Sequence, residues 1–277
     1  MDFAEILRLI AEEFPLALIG SVLVGSLCAF IGVYIVARRV VFLGAVMTQL
    51  SVLGLSVTFL PFIAIPHTIG SLAVTLLAVA LLSRWLAHRS IPGDAVLGVV
   101  FAAAIAFRIL VLQKAPRVEA SEVDSLLRGD ILFVTPELFY IMVFVFVASG
   151  LLHLLFYKQF TSTTFDAETA TAQGVNAKLW ESVLYVTTAV AISVATHLVG
   201  DVFVFGFLVI PPVTGLLLGG RVRQVFAIAV TLGAVAPVVG LYLAFSLDVP
   251  ASPAIVAVAA VFLCLAWIMR VIRGSAG

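Results

Sequence analysis

The 277-residue chain predicts an all-α, polytopic integral membrane protein, a bundle of eight or nine transmembrane helices, and three observations carry that reading. Hydrophobic residues make up 63% of the chain, charged residues only 11%, and mean hydropathy is +1.25; a soluble domain carries about 25% charged residues. The apolar residues fall in long uninterrupted runs, not in the short alternating segments of a membrane barrel. Basic residues recur in pairs between those runs. So few charges cannot keep so much apolar surface in water, and lipid must be the solvent for much of it.

A hydrocarbon core about 30 Å thick requires about 20 apolar residues of helix. Runs of that order lie near 16–37, 41–63, 69–87, 95–113, 131–156, 178–198, 202–218, 225–247 and 254–272. The run at 202–218 is short and contains Pro211-Pro212, which leaves the count at eight or nine. Each proline lacks an amide donor and is expected to kink or break its helix. Such breaks are tolerated at membrane depth where backbone lines a cavity or meets protein, so Pro211 is a candidate gating element.

With nine spans, one set of helix ends collects Arg38, Arg39, Arg84, Arg89, Lys158, Lys178, Arg221, Arg223, Arg270 and Arg273. The other set holds Arg8, Lys114, Arg117 and Arg128, and Arg108 falls within a span. This bias predicts an external N-terminus and a cytoplasmic C-terminus in a bacterial plasma membrane. No segment reads as a separate soluble domain, so residues 1–277 are expected to form one transmembrane unit. The acidic, amphipathic Met1–Glu13 is unlike the basic start of a removable signal peptide. A net charge of zero offers no basic field to nucleic acid. Cys28 and Cys264 sit inside apolar runs and are expected to pack in the core.

The two longest connections differ. Segment 114–130, external in this topology, is polar and carries Glu119, Glu122, Asp124 and Asp130. Segment 157–177 is cytoplasmic and contains a short helix. Thr163-Thr164-Phe165-Asp166 resembles a capping arrangement, and Asp166 and Glu168 suit the positive helix N-terminus. Gly174 fits a C-cap. The helix between is too short to span and would lie along the cytoplasmic face, as a partner's docking site or as a plain amphipathic connector.

Ionisable groups within lipid are costly and mark candidate sites. His197 and Asp201 stand four apart, and a continuing helix would set both on one face as possible metal ligands, with interfacial solvation the alternative. Arg108 either snorkels or finds a partner in Asp130, Glu137 or Asp201. Met47 is either a soft ligand or packing. His67 is expected in a solvated turn and His153 packed near the cytoplasmic boundary. The chain contains no Gly-Lys pair, hence no phosphate-binding loop, and neither an H-E-x-x-H helix nor a G-x-S-x-G elbow. It is expected to be a transporter subunit and not an enzyme, with any ATP bound and hydrolysed on a separate chain and no cofactor of its own.

Six segments in order carry a resemblance: Gly32 to Gly44 with Arg38 and Arg39; Pro92 to Phe101 with Asp94; Leu127 to Leu132 with Gly129-Asp130; Phe165 to Gly174; Val199 to Pro211; and Leu247 to Val256. Together they are similar to the permease subunits of the metal-ion ABC importer family, which takes up zinc, manganese or iron. The resemblance implies a type II importer-like fold working as a homodimer in the lipid bilayer. It also implies a cytoplasmic ATP-binding subunit and an extracytoplasmic metal-binding protein as partners, and a divalent cargo, zinc or manganese. It assigns the segment at about 160–177, with Asp166, Glu168, Ala170 and Gly174, to coupling with the ATPase.

One departure stands out. The family's second span carries an Asp and a His four residues apart that help bind the metal; here Ala45 and Gln49 occupy those places. Alanine has no donor atom and a neutral amide is a poor ligand for such metals. The transport-path candidates are therefore Gln49, Met47, His197 and Asp201, with His197 and Asp201 as the remaining metal pair. Two alternatives stay open: a permease of the same fold for a non-metal or chelated substrate, and an ion-coupled secondary transporter. The latter would need mid-membrane carboxylates or internal repeats, whereas Glu137 and Glu181 lie near span ends.

Overall fold

The computed structural model describes residues 8, 10, 12–60, 63, 65–86, 92–115, 131 and 134–274. Among these are eleven helices: α1 (Pro15–Ala37), α2 (Val41–Val57), α3 (His67–Leu86), α4 (Gly93–Leu112), α5 (Pro136–Leu155), α6 (Tyr157–Phe165), α7 (Ala167–Ala172), α8 (Ala177–Val199), α9 (Asp201–Leu218), α10 (Val222–Leu247) and α11 (Ala251–Gly274). Seven are long and apolar enough to cross a membrane, and α2 and α3 are shorter apolar helices. Each of the nine apolar runs thus becomes one helix. The acidic loop carrying Glu119, Glu122, Asp124 and Asp130 lies outside the described residues.

Two boundaries move for local reasons. The run at 41–63 yields helix only to Val57, where the Thr58 hydroxyl turns back to the Leu55 carbonyl at 2.6 Å. The run at 131–156 starts its helix at Pro136, whose missing amide suits a first turn, and Thr135 caps it by accepting from Leu138 N. Helices α1, α8 and α9 form the interior, while α4, α5 and α11 expose most of their surface. Leu77, Leu110, Phe144 and Leu154 all point outward, as they must where lipid is the solvent. Cys28 is buried as expected, but Cys264 lies on an exposed face of α11 and not in the core.

Without a hydrophobic drive between helices in lipid, close backbone approach and polar seams do the joining. One seam is a hydroxyl chain: Ser51, Ser71 and Ser193 link α2, α3 and α8 at 2.8 and 2.9 Å, fully buried.

The prolines of α9 do not break it. Pro211 and Pro212 lie inside one continuous helix, and Pro237 sits likewise inside α10. A proline frees the carbonyl four residues earlier: Leu208 for Pro212 and Gly233 for Pro237. Both carbonyls face a glycine of α1. A methyl group added at Gly32 would fall on the Leu208 carbonyl oxygen, and one added at Gly25 on that of Gly233. Seven residues apart, the two glycines share a face of α1. Their bare Cα atoms allow the close approach that Cα–H···O contact needs.

Candidate functional site

Gln49 projects from α2, Arg108 from α4 and Asp201 from the first turn of α9. The Arg108 Nη1 donates to Gln49 Oε1 at 3.0 Å, and Gln49 Nε2 donates to Asp201 Oδ2 at 3.0 Å. The amide is oriented by its neighbours, carbonyl toward the guanidinium and NH2 toward the carboxylate. Among the described residues, Arg108 reaches Asp201, one of its expected partners, through an intervening amide. Its Nε is buried without a partner. Glu137 is exposed at the start of α5, and Asp130 lies outside the described residues.

Beside this relay opens a cavity of about 420 Å³ with Ala45, Gln49 and Asp201 on its lining and the rings of Phe42, Phe101 and Phe205 as walls. Phe42 and Phe101 meet at 5.3 Å, bridging α2 and α4. A cavity of this size with few polar groups has the character of a small-molecule site.

The other candidates lie elsewhere. Met47 is fully buried in the core and absent from the cavity lining. His197 is buried in the last turn of α8, its Nε2 without a hydrogen-bond partner. The helix does not continue from it to Asp201: Gly200 adopts φ 84°, ends α8, and lets α9 begin afresh at Asp201. The expected shared helical face is thus interrupted, and the Asp201 carboxylate turns to α2. His67 opens α3, its Nδ1 2.7 Å from the Thr58 hydroxyl and its ring stacked on Phe59. His153 is packed as expected, stacked on Phe160 at 4.2 Å with Nδ1 on the Ser149 carbonyl. Among the described residues, no three of His, Cys, Asp and Glu gather into a metal-binding group.

At the opposite end of α1 a second constellation forms. Arg39 adopts φ 60°, and the amides of Arg39 and Val40 bond back to Val36 and Ile35, closing α1 in a Schellman turn. That turn directs Arg38 into a cluster. Its Nη1 lies 3.2 Å from Glu181 Oε1 on α8, its Nε donates to the Thr164 hydroxyl at 3.2 Å, and its Nη2 donates to the Thr163 carbonyl at 3.2 Å. Tyr185 donates to the same Glu181 oxygen at 2.7 Å. A planar guanidinium suits such a fork of acceptors.

Thr163 and Thr164 thus belong to α6 and anchor Arg38; they do not cap the next helix. Asp166 alone caps α7, accepting from Thr169 N at 3.0 Å. The Thr169 side chain, together with this amide, holds its carboxyl below the usual carboxylate range. Gly174 fulfils the expected C-cap: at φ 85° it lets Val175 N reach Ala170 O and its own N reach Thr171 O, a second Schellman turn. Ala170 is buried against the bundle, while Asp166, Glu168, Thr169 and Thr171 are exposed. The segment is a short, doubly capped helix with one face free.

The ABC 3 transport family matches residues 12–270, nearly the whole chain. The chain belongs to that family. It is an ABC transporter permease, a multi-pass membrane subunit and not an enzyme. It is similar, at 28% identity over 84% of this chain and 81% of the relative, to a probable iron transport system membrane protein of Haemophilus influenzae. It is 27% identical to the manganese transport system membrane protein MntC of Listeria monocytogenes, covering 93% of this chain and 91% of that one. Its fold matches a chain of PsaBC from Streptococcus pneumoniae, solved in complex with Fab, with a TM-score of 0.86, 25% identity, and coverage of 96% and 95%.

Two features of the permease escape a linear reading of its sequence. The Arg38 cluster joins residues more than a hundred positions apart; its one local sign is the Arg38-Arg39 pair directly after an apolar run. The relay joins residues 49, 108 and 201. Its sign is a lone amide and a lone guanidinium within apolar runs, each requiring a partner in lipid.

Proposed function

We propose that this permease is the membrane-spanning half of an ATP-driven importer of metal ions, in a bacterial plasma membrane, with its N-terminus outside and C-terminus in the cytoplasm. The observation that carries it is α7: a doubly capped helix with an exposed face, directly following α6, which Arg38 ties to α1 and α8, in a chain matched along its length by the ABC 3 transport family. An ATPase that docks on α7 and shifts it would move α6 with it and pull the end of α1 through Arg38. ATP is bound and hydrolysed by that subunit. The working unit is a homodimer of single-domain permeases with two ATPases, supplied by an extracytoplasmic metal-binding protein. The cargo reading is supported by the manganese and iron named for the relatives; zinc, expected beside manganese, finds no such support among them.

The transport path in this reading passes the cavity at Gln49 and Asp201. Purified permease with its ATPase, reconstituted in liposomes, tests the proposal: metal presented by the binding protein should stimulate ATP hydrolysis. No stimulation by any manganese or iron species would defeat it.

A further inference from the structure

The charge at the cavity argues about the form in which the cargo arrives. A divalent cation leaving water for a partly buried site requires compensating anionic ligands. The carboxylate at this cavity is already engaged: Asp201 receives Gln49 Nε2, and Gln49 is held in that orientation by the guanidinium of Arg108. Carboxylate and guanidinium together sum to zero charge. A bare cation in the cavity would meet a carboxylate already compensated through Gln49 by the guanidinium behind it, and would have to strip Gln49 from Asp201 to gain a single bond. Ala45 contributes no donor atom, and no third His, Cys, Asp or Glu completes a ligand set among the described residues.

What the cavity does offer is room and apolar wall. About 420 Å³ is far more than one ion fills, and Phe42, Phe101 and Phe205 present ring surface to it. Such walls suit an organic body. An oriented amide suits a neutral or weakly polar rim, since it can bond to either a donor or an acceptor without net charge.

Resting on the metal-import reading above, we propose that this permease passes its metal as a charge-compensated chelate, a cation wrapped in an organic ligand, and that Arg108 excludes the bare dication. Arg108 is the specificity-determining residue. The aromatic walls hold the chelate, and the relay keeps Asp201 unavailable as a free metal ligand.

The test keeps the metal constant and changes its dress. Manganese is offered to the permease–ATPase complex in nanodiscs either as Mn2+ alone or as its neutral two-to-one complex with 8-hydroxyquinoline, with free 8-hydroxyquinoline as the control. Binding and ATPase stimulation are both read. The unmodified complex should bind and respond to the chelate, and respond to Mn2+ about tenfold more weakly or not at all. Arg108→Gln releases Asp201 and should strengthen the Mn2+ response by about tenfold while weakening that to the chelate. Phe205→Leu, which leaves every charge in place, should weaken the chelate response alone and guards against a general folding defect. Mn2+ acting on the unmodified complex as strongly as on Arg108→Gln would overturn the chelate inference and leave metal import standing. Equal response to chelate and to free 8-hydroxyquinoline would overturn it too. Silence toward both forms of manganese would overturn the inference, and the metal reading falls with it only if metal presented by the binding protein is silent as well.

Discussion

At Gln49 each end of the amide is turned to the charge it suits, so replacing it by leucine of similar bulk strands both neighbours at once. Arg108 loses its acceptor and Asp201 its donor. Leaving partly buried polar groups without partners costs about 1–3 kcal/mol, and Gln49→Leu should lower the thermal midpoint of the detergent-solubilised permease accordingly. An unchanged midpoint would mean that water replaces the amide and that the relay contributes no stability. Arg38 makes a different kind of contribution. Its guanidinium is one rigid fork shared between α8 and α6, and Glu181 is half-exposed, so the ion pair itself is screened. Arg38→Lys keeps the charge but cannot reach Glu181, Thr163 and Thr164 together. The expected result is ATP hydrolysis that persists while metal transported per ATP falls, with the fold intact; equal loss of both activities would instead make Arg38 a plain structural anchor.

Helix α7, the proposed contact with the ATPase, depends on its two caps. Gly174→Val forces a branched side chain into the left-handed region at a cost of about 1–2 kcal/mol, and should uncouple hydrolysis from transport while the membrane helices stay inserted. The Asp166 cap adds a pH dependence. Its folded pKa lies below the ordinary value because the carboxylate accepts from Thr169, so the cap contributes fully above the unfolded carboxylate pKa and is lost as pH falls through the lowered folded one. Coupling in the unmodified permease should therefore weaken only in that acidic window, and Asp166→Asn, which caps without a charge, should not share the dependence; a parallel decline in both would assign the acid effect elsewhere. Elements of this scale were legible to unequal degrees. The nine apolar runs became nine helices because length and hydropathy alone decide what can cross lipid. Helix α6 was not foreseen, since Tyr157–Phe165 is polar and follows α5 after a single residue, Phe156. Thr163 and Thr164 looked like caps because local sequence cannot reveal that Arg38, far along the chain, claims them. The expected break in α9 failed for a similar reason: the carbonyl that Pro212 frees, that of Leu208, finds its cover on another helix.

For the molecule as a whole, the topology is the first thing to test. Ala170 is buried and would be a misleading probe, but the exposed Thr171 replaced by cysteine should react with an impermeant thiol reagent only from the cytoplasmic side. Labelling solely from outside would invert the topology and end the coupling role of α7. Packing supplies a second test. A methyl at Gly32 meets the Leu208 carbonyl and the Pro212 ring, and such overpacking costs about 1–3 kcal/mol. Gly32→Ala should lower the thermal midpoint by more than a methyl placed at Gly98, beside which nothing lies within 4 Å.

That meeting of glycine and proline also bears on how the protein is made. Helix α1 leaves the ribosome well before α9 and α10, each of which carries a carbonyl that hydrocarbon leaves unsatisfied at a cost of several kcal/mol. The face of α1 carrying Gly25 and Gly32 is already in the bilayer when they arrive. It is a template waiting for two late helices, and it gives each a reason to leave the insertion machinery toward the bundle and not toward open lipid. A defect at Gly32 would then appear first as permease that is synthesised at the normal rate and degraded before assembly.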